Sequence, residues 1–464
     1  MQTSVPALVT LGLLALAACG RAEPPAGRAE PASPAPASSA GTSAAVAASA
    51  APPAPAAPAR PKNVILLSVD SMRHDMPWAG YERPIAPNLT RLVERAVYYD
   101  NAYSLSSYTA KSLPGLLAGR YPSSLYRSGY FFTNYPQSNL FFTELLQEHG
   151  VRTIGMHAHL YFGRGKGVDQ GFDVWELVPG IRFDAQKDND ITSEKMTRLA
   201  MELLGKPENT GKPFFAWMHY MDPHDVYLPH DECPKEWAGG KTRDKYDCEV
   251  FYTDLWIGKL LDWAKTQPWW KETALIVTAD HGEAFGEHGM YRHAFELWQE
   301  LVHVPLFFVL PGVEPRKIEA ARSDIDLAPT ICELLGVAPD ARFVGKSLMP
   351  ELYGKEPPGP DETVVLDLPA DSNNEQRRGI IEQGFKLIVY GNGWKYLLFD
   401  LKADPGEKND LSKQQPEKLA AMKQRFGELW GKIPQVDPYG GMKLTSGKEA
   451  NGPMGPPKGE GAKP

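Results

Sequence analysis

Residues 273–282 read T-A-L-I-V-T-A-D-H-G, and this stretch decides the fold class. The run 273–279 is apolar and rich in β-branched residues, which is typical of a strand buried on both faces of a parallel sheet. The run ends abruptly at Asp280 and His281. We expect this carboxylate and this imidazole to lie at the carboxyl end of a core strand, where open α/β sheets bind their ligands.

The residues that follow are unusually rich in side chains that bind metals. Glu283, Glu287 and His288 come directly after Asp280 and His281, and His293 is close behind. The alternative interpretation is a turn with a solvated Asp and His. A surface turn needs no such density of carboxylates and imidazoles, so the segment favours a metal site.

Apolar periodicity elsewhere predicts strands that alternate with helices, and such alternation indicates a mostly parallel central sheet sandwiched by helices. Ser193 is predicted to be the N-cap of its helix. Beyond residue 355, short strands with Gly-containing turns predict a small C-terminal antiparallel sheet, closed by a helix. The predicted strands are 63–69, 152–156, 213–218, 273–279, 304–310, 364–366, 379–381, 386–390 and 396–400. The predicted helices are 87–96, 109–118, 141–149, 193–204, 246–265, 324–335 and 416–431.

The two ends of the chain differ in composition from the middle. An apolar run, Leu8–Ala18, ends at Cys19, is too short to span a membrane comfortably and resembles a bacterial lipoprotein signal, although residues 1–7 lack Lys and Arg. An ordinary secretory signal is the alternative. Ala- and Pro-rich residues 20–61 predict a disordered tether, and residues 440–464 a disordered tail. We therefore expect a protein of the bacterial cell envelope, anchored to the membrane by lipid on Cys19 and facing the periplasm or the exterior.

Between these ends we expect a catalytic domain, residues 62–355, and a C-terminal subdomain, residues 356–439. The net charge of −8, without a basic stripe, disfavours nucleic acid as a partner. In an oxidising envelope, Cys233 and Cys248 are predicted to form a disulfide across the loop between them. Cys332 lies in an apolar helical pattern and is expected to be a buried free thiol.

The first strand also ends in a carboxylate, because Asp70 follows residues 63–69. Asp70, Asp280 and His281 at strand ends can converge on one divalent ion. An imidazole ligand favours Zn²⁺ or Mn²⁺, with Ca²⁺ as the alternative. Thr109 is expected near the first turn of a helix, where unpaired N–H groups stabilise an anion. Alone it would be an N-cap, but a neighbouring metal would lower the pKa of its hydroxyl and make it a nucleophile and fourth ligand.

Taken in order, these motifs resemble the sulfatase family of the alkaline phosphatase superfamily. The resemblance extends from residue 62 to about residue 434 and implies an alkaline phosphatase-like fold and a hydrolase of sulfate or phosphate esters that needs one divalent metal ion. The matching segments are N-V-I-L-L-S-V-D-S-M-R at 63–73, T-A-K-S-L-P-G-L-L-A-G-R-Y-P at 109–122, G-F-D at 171–173, H-Y-M-D-P-H at 219–224, T-A-D-H-G-E at 278–283, D-I-D-L-A-P-T at 324–330 and F-D-L-K-A-D-P-G-E-K-N-D-L at 399–411.

The nucleophile motif departs from the family pattern. Formylglycine sulfatases carry C/S-x-P-x-R, and Thr109 stands at the nucleophile position with Lys111 in place of the Pro and Leu113 in place of the Arg. Ser71 replaces a second Asp. Thr cannot be oxidised to formylglycine, and the Thr-Ala-x-Ser-x-Pro motif is similar to that of phosphoethanolamine transferases, which use a Thr nucleophile.

Three functions remain open on this basis. The first is a hydrolase that acts through a metal-activated Thr109. The second is a phosphoethanolamine- or phosphoglycerol-type transferase that modifies an envelope lipid or glycan, although such relatives carry several transmembrane helices. The third is a non-catalytic binding lipoprotein, which the intact set Asp70, Thr109, Asp280 and His281 disfavours.

The resemblance also assigns roles to other polar residues. His293 corresponds to a residue that contacts the anionic group of the substrate, and His224 to one near the leaving group. Both are counted as catalytic, together with Lys111. Three more histidines are assigned to substrate binding or to support of the site, namely His157, His159 and His288. The others are expected to be structural or exposed, namely His74, His149, His230 and His303.

Overall fold

The computed structural model describes residues 59–159, 162–182, 190–237, 240–354 and 359–440. The predicted signal segment with Cys19, nearly all of the tether and the tail lie outside the described residues, as does the predicted domain boundary at residue 355. No helix within the described ranges is both long enough and apolar enough to cross a membrane.

The chain alternates strands and helices up to about residue 335 and then forms a second group of strands. The strands are β1 (Asn63–Val69), β2 (Val97–Tyr103), β3 (Arg152–His157), β4 (Val174–Leu177), β5 (Phe214–Tyr220), β6 (Thr273–Ala279), β7 (Ala284–Phe285), β8 (Tyr291–Arg292), β9 (His303–Val309), β10 (Arg316–Ile318), β11 (Arg322–Ser323), β12 (Val364–Leu368), β13 (Arg377–Glu382), β14 (Phe385–Tyr390) and β15 (Lys395–Asp400). The helices are α1 (Pro87–Val93), α2 (Thr109–Ala118), α3 (Phe142–Glu148), α4 (Ser193–Leu204), α5 (Pro207–Thr210), α6 (Thr242–Ala264), α7 (Gln299–Val302), α8 (Leu327–Leu334), α9 (Met349–Tyr353) and α10 (Pro416–Trp430).

The central sheet has nine strands in the order β10-β2-β9-β6-β1-β5-β3-β4, with β11 also paired to β2. β1 lies in the middle and pairs in parallel with both β5 and β6. Every residue of these three strands is buried, as their continuous apolar sequences predict. β9 is antiparallel to β2 and β6. The predicted mostly parallel α/β sheet is therefore confirmed, with one antiparallel strand inside it.

Helices cover both faces of this sheet, and each face has its own apolar core. Alternate residues of β1 point to opposite faces, so that Leu67 contributes to one core and Leu66 to the other. The first core includes α1, α4 and α6, and the second includes α2, α3 and α8. This packing holds the carboxyl ends of β1, β5 and β6 rigidly at one edge of the sheet.

The N-terminus of α4 differs from the sequence prediction. Ser193 is the first helical residue and Thr192 is the N-cap, so the prediction of Ser193 as the N-cap is wrong. The cap is supplied from a distance by Asp222, which follows β5. Its carboxylate oxygens accept hydrogen bonds from the backbone N–H groups of Thr192 at 2.6 Å and Ser193 at 2.7 Å. A carboxylate at a helix N-terminus also interacts favourably with the helix dipole.

The second sheet is antiparallel, in the order β12-β13-β14-β15. One of its faces packs against Met422 and Trp430 of α10. The other face packs against Tyr108 and Ala110 at the start of α2 and against Ala294 in the loop after β8. The small C-terminal antiparallel sheet with its closing helix is therefore confirmed, and it supports the surroundings of the candidate site.

Cys233 and Cys248 form a disulfide with their sulfur atoms 1.89 Å apart, and Cys332 is buried as a free thiol. Burial raises the pKa of Cys332 to about 12, so the reactive thiolate is scarce at neutral pH. We expect non-reducing peptide mapping of the native protein to show linked Cys233 and Cys248 peptides, and Cys332 to be alkylated only after unfolding. Alkylated Cys233 or Cys248 in unreduced protein would contradict this pairing.

Candidate active site

Two carboxylates and an imidazole meet where β1 and β6 end. Val69 and Ala279 are paired in the last register position of the two strands, so the next residues, Asp70 and Asp280, leave the same edge of the sheet side by side. Asp70, Asp280 and His281 are all buried. Each offers a ligand atom, and these atoms lie within 4.8 Å of one another.

Thr109 completes this group. It is the first residue of α2, and the extended backbone of Tyr108 forms the N-cap. Thr109 Oγ1 lies 2.9 Å from His281 Nε2 and 3.4 Å from Asp70 Oδ2. The hydroxyl thus faces the carboxylates from the end of a helix whose unpaired N–H groups favour a negative charge.

The spacing of these atoms suits one divalent cation. His281 Nε2 lies 3.5 Å from Asp280 Oδ2 and 3.6 Å from Asp70 Oδ1. Metal–ligand bonds of about 2.0–2.1 Å in a tetrahedral shell separate the ligand atoms by about 3.3 Å. Among the described residues, Asp280 Oδ2 accepts no hydrogen bond although it is buried. A buried carboxylate oxygen without a donor is costly unless a cation binds there, so the donor set fits a metal.

The electrostatics of the two carboxyl groups differ. Burial opposes ionisation of Asp70, but the neighbouring charges and hydrogen bonds of several histidines, His224 foremost, hold its pKa well below the usual range. Burial raises the pKa of Asp280 well above its usual range, and the negative charge of Asp70 raises it further. Burial, together with the nearby His293, lowers the pKa of His281 to about 3. His281 is therefore neutral at neutral pH, as a metal ligand must be.

His293 and His224 lie next to this group. The ring centroid of His293 is 4.2 Å from that of His281 and 5.0 Å from that of His224. His293 Nδ1 lies 3.3 Å from both carboxylate oxygens of Glu283. Burial lowers the pKa of His293 to about 3 and raises that of Glu283 to about 7. The structure thus places His293 beside His281 and His224 beside His293, so both predicted catalytic histidines border the group that contains Thr109.

The residues assigned to substrate binding separate into two sets. His159 Nε2 lies 3.4 Å from Asp70 Oδ2, so this residue reaches the site. His157 is buried against Trp175, with ring centroids 4.8 Å apart, and its Nδ1 lies 2.9 Å from the carbonyl oxygen of His159. His288 stacks on Trp298, with ring centroids 4.0 Å apart. These contacts make His157 a support for the His159 backbone and place His288 on Trp298.

Lys111 has partners that the sequence did not indicate. Its side chain is fully buried, its Nζ lies 3.3 Å from Asp371 Oδ2, and it also donates a hydrogen bond to Thr133 Oγ1. Burial lowers the pKa of Lys111 to about 8. These contacts tie α2 to the loop that follows β12, which makes Lys111 a candidate for supporting the site.

His219 is the residue that sequence reasoning missed. It lies on β5, is fully buried, and its Nε2 is 3.2 Å from Asp70 Oδ2. Burial lowers its pKa. One signal was available, because His219 interrupts an otherwise apolar and aromatic strand, F-F-A-W-M-H-Y.

Comparison with known proteins gives the family. Residues 62–337 match the family model described as Sulfatase, and residues 286–431 match the model described as N-sulphoglucosamine sulphohydrolase, C-terminal. The first match covers more than half of the chain, so this protein belongs to the sulfatase family. The predicted family is confirmed. The sequence predicted a hydrolase of sulfuric or phosphoric esters, and the comparisons support a sulfuric ester hydrolase.

Similar proteins extend this result to the fold. A sulfatase of Formosa agariphila is 23% identical over 453 residues, which span 79% of this chain and 87% of the relative. The solved structure of a 2-O GAG sulfatase superposes with a TM-score of 0.67 at 20% identity, over 82% of this chain and 95% of its own. The structure of a phosphonate monoester hydrolase of Agrobacterium radiobacter also superposes with a TM-score of 0.67, at 18% identity. The superposition covers 81% of this chain and 96% of that hydrolase chain.

Proposed function

We propose that this protein hydrolyses sulfate esters through a covalent ester on Thr109. The observation that carries the proposal is the position of the Thr109 hydroxyl at the start of α2, 2.9 Å from His281 Nε2 and 3.4 Å from Asp70 Oδ2. Membership of the sulfatase family supports the substrate class. The mechanism is our inference from the residues that surround Thr109.

In the first step, each residue of the site has a proposed role. A divalent cation bound by Asp70, Asp280 and His281 would lower the pKa of the Thr109 hydroxyl and offset negative charge on the transferred group. Thr109 Oγ1 forms a bond to sulfur while the bond from sulfur to the ester oxygen breaks. The Thr109 hydroxyl loses its proton to solvent, and the departing alcohol takes up a proton from His224, which solvent then protonates again. His293 contacts the anionic oxygens.

The second step restores the enzyme. Water attacks the sulfur atom of the Thr109 ester, the bond between sulfur and Oγ1 breaks, and Oγ1 regains a proton as sulfate leaves. The N-terminal N–H groups of α2 stabilise the oxygens of the transferred group in both steps. No oxidised side chain is needed, which is consistent with Thr in place of the Cys or Ser that becomes formylglycine.

Phosphate esters are a second candidate substrate class. The observation that favours them is the Thr at position 109, the proposed nucleophile position. A Thr hydroxyl activated by a metal is suited to in-line attack on phosphorus, where catalysis depends on positioning and charge stabilisation. The transferase alternative has no support among the similar proteins described above.

We further propose that the protein acts at the cell envelope, held to the membrane by lipid on Cys19. This rests on the apolar run before Cys19 and on the Ala- and Pro-rich composition of residues 20–61. Such a segment would act as an extended spacer between the membrane and the catalytic domain. Sulfate or phosphate esters on envelope lipids or glycans would then be within its reach.

A substrate panel with controlled metal content tests the proposed activity. We expect the purified protein to release nitrophenol from p-nitrophenyl sulfate or p-nitrophenyl phosphate, to lose this activity after removal of metal with a chelator, and to regain it with Zn²⁺ or Mn²⁺. Asp280→Asn should lose activity together with the cation bound by Asp70, Asp280 and His281, whereas His149→Ala, at an exposed position, should behave as wild type. Chelator-resistant turnover, or no turnover of either ester with any divalent metal, would contradict the proposal.

A further inference from the structure

Asp70 faces a second group of potential ligands. The first group contains Asp280 and His281, with Thr109 beside it. The second group contains His159 and His219, with Nε2 atoms 3.4 Å and 3.2 Å from Asp70 Oδ2. The ligand atoms of Asp70, His159 and His219 lie within 4.8 Å of one another, and all three residues are buried. Asp70 is therefore common to two separate clusters.

These contacts with Asp70 are long hydrogen bonds, and their lengths also suit two histidines and a carboxylate that share one cation. Charge-assisted N–H···O⁻ hydrogen bonds have lengths of about 2.7–2.9 Å, shorter than either contact with Asp70 Oδ2. Ligand atoms around a tetrahedral Zn²⁺ are about 3.3 Å apart, which is the spacing that both histidines show. Two imidazoles and one carboxylate with an open position form a typical catalytic zinc site.

The other nitrogen of the His219 ring also has a polar partner. Ser68 Oγ lies 2.8 Å from His219 Nδ1 and accepts a hydrogen bond from Trp217 Nε1 at 2.8 Å. When Nδ1 carries the proton and donates it to Ser68, the lone pair of Nε2 is directed at Asp70. A ring N–H fixed by a polar partner on the far side is the usual arrangement of a metal-binding histidine.

We propose that Asp70, His159 and His219 bind a second divalent cation, with Zn²⁺ as the best fit, and that Asp70 bridges it to the cation held by Asp280 and His281. The inference goes beyond the proposed function and rests on it only through Asp70. Paired cations supply a clamp that stabilises both the attacking and the leaving oxygen of an in-line displacement. The open ligand positions would be filled by water or by an oxygen of the substrate.

Metal stoichiometry tests this site without reference to turnover. The untagged full-length protein is stripped with a chelator, incubated with Zn²⁺, desalted and measured by plasma mass spectrometry. We expect wild type to bind two Zn²⁺ per chain. Each of the variants His159→Ala, His219→Ala and Asp280→Asn should bind one Zn²⁺. His149→Ala is the matched control for loss of a histidine and should bind two.

Calorimetric titration of the stripped wild-type protein with Zn²⁺ provides a measurement that does not depend on whether a variant folds. Two binding events support the second site. One event in wild type, or two Zn²⁺ retained by folded His219→Ala, would overturn it and leave a single-metal centre in which His159 and His219 contact the substrate directly. No bound metal in wild type would overturn both this inference and the metal-dependent mechanism.

Discussion

Replacing Thr109 by Ala should lower kcat/KM by about three decades or more, because a covalent nucleophile typically contributes several kcal/mol of transition-state stabilisation. The metal content should fall little, since Asp70, Asp280 and His281 remain in place. Thermal unfolding should also change little, because the lost side chain is small. Steady-state kinetics with the best ester of the substrate panel, together with metal analysis of the same sample, would measure both effects.

Two further variants separate a nucleophile from a structural cap. Thr109→Ser keeps a hydroxyl at the first residue of α2 and should retain part of the activity. Thr109→Cys should not yield a formylglycine enzyme, since Lys111 and Leu113 occupy the Pro and Arg positions of that motif. Activity at the wild-type level in Thr109→Ala would show that water or another residue attacks, and the assignment of Thr109 would be wrong.

Replacing Lys111 by Met should destabilise the protein by about 3–5 kcal/mol, because it leaves the carboxylate of Asp371 buried without its partner. Both side chains are fully buried, and the atoms Lys111 Nζ and Asp371 Oδ2 lie 3.3 Å apart. Urea unfolding followed by circular dichroism would measure the loss of stability.

The double variant Lys111→Met/Asp371→Leu is the matched control for the Lys111 prediction. Removing both charges should recover much of the stability, because no uncompensated charge stays buried. It should also recover much of the activity if Lys111 supports the site through this pair. A double variant that is stable but inactive would instead make Lys111 a catalytic residue, as the sequence motif suggested.

The parts of the fold that could be predicted are those whose sequence pattern is continuous. β6 was predicted residue by residue, because every residue of Thr273–Ala279 is apolar or a β-branched Thr, and all are buried. β2, Val97–Tyr103, was missed because Asp100 and Asn101 interrupt its pattern, and these residues are only partly buried in the structure. β4 was missed because it is short, lies at the end of the sheet and carries the exposed Glu176.

The candidate site also contains residues that the sequence predicts and residues that it does not. Asp70, Asp280 and His281 were predictable, because Asp70 and Asp280 directly follow apolar strands, His281 is the next residue, and parallel strands end at the same edge. His219 was not, since its contact with Asp70 depends on the register that pairs Ser68 with His219 across β1 and β5. Asp371 could not be paired with Lys111 from sequence, because the two residues are far apart along the chain and meet only when the second sheet packs against α2.

Because the second sheet packs beside the site, different segments of the chain supply the proposed reacting residues and the residues that surround them. The proposed nucleophile and the proposed metal-binding residues all precede β7, whereas the loop after β12 contacts the residues around them. In that loop Asn374 donates a hydrogen bond to the carbonyl oxygen of Ala294, next to His293, and Ser372 accepts one from the backbone N–H of Phe131. A change in this loop would therefore alter the surroundings of His293 and Lys111 without replacing any residue of the proposed metal site.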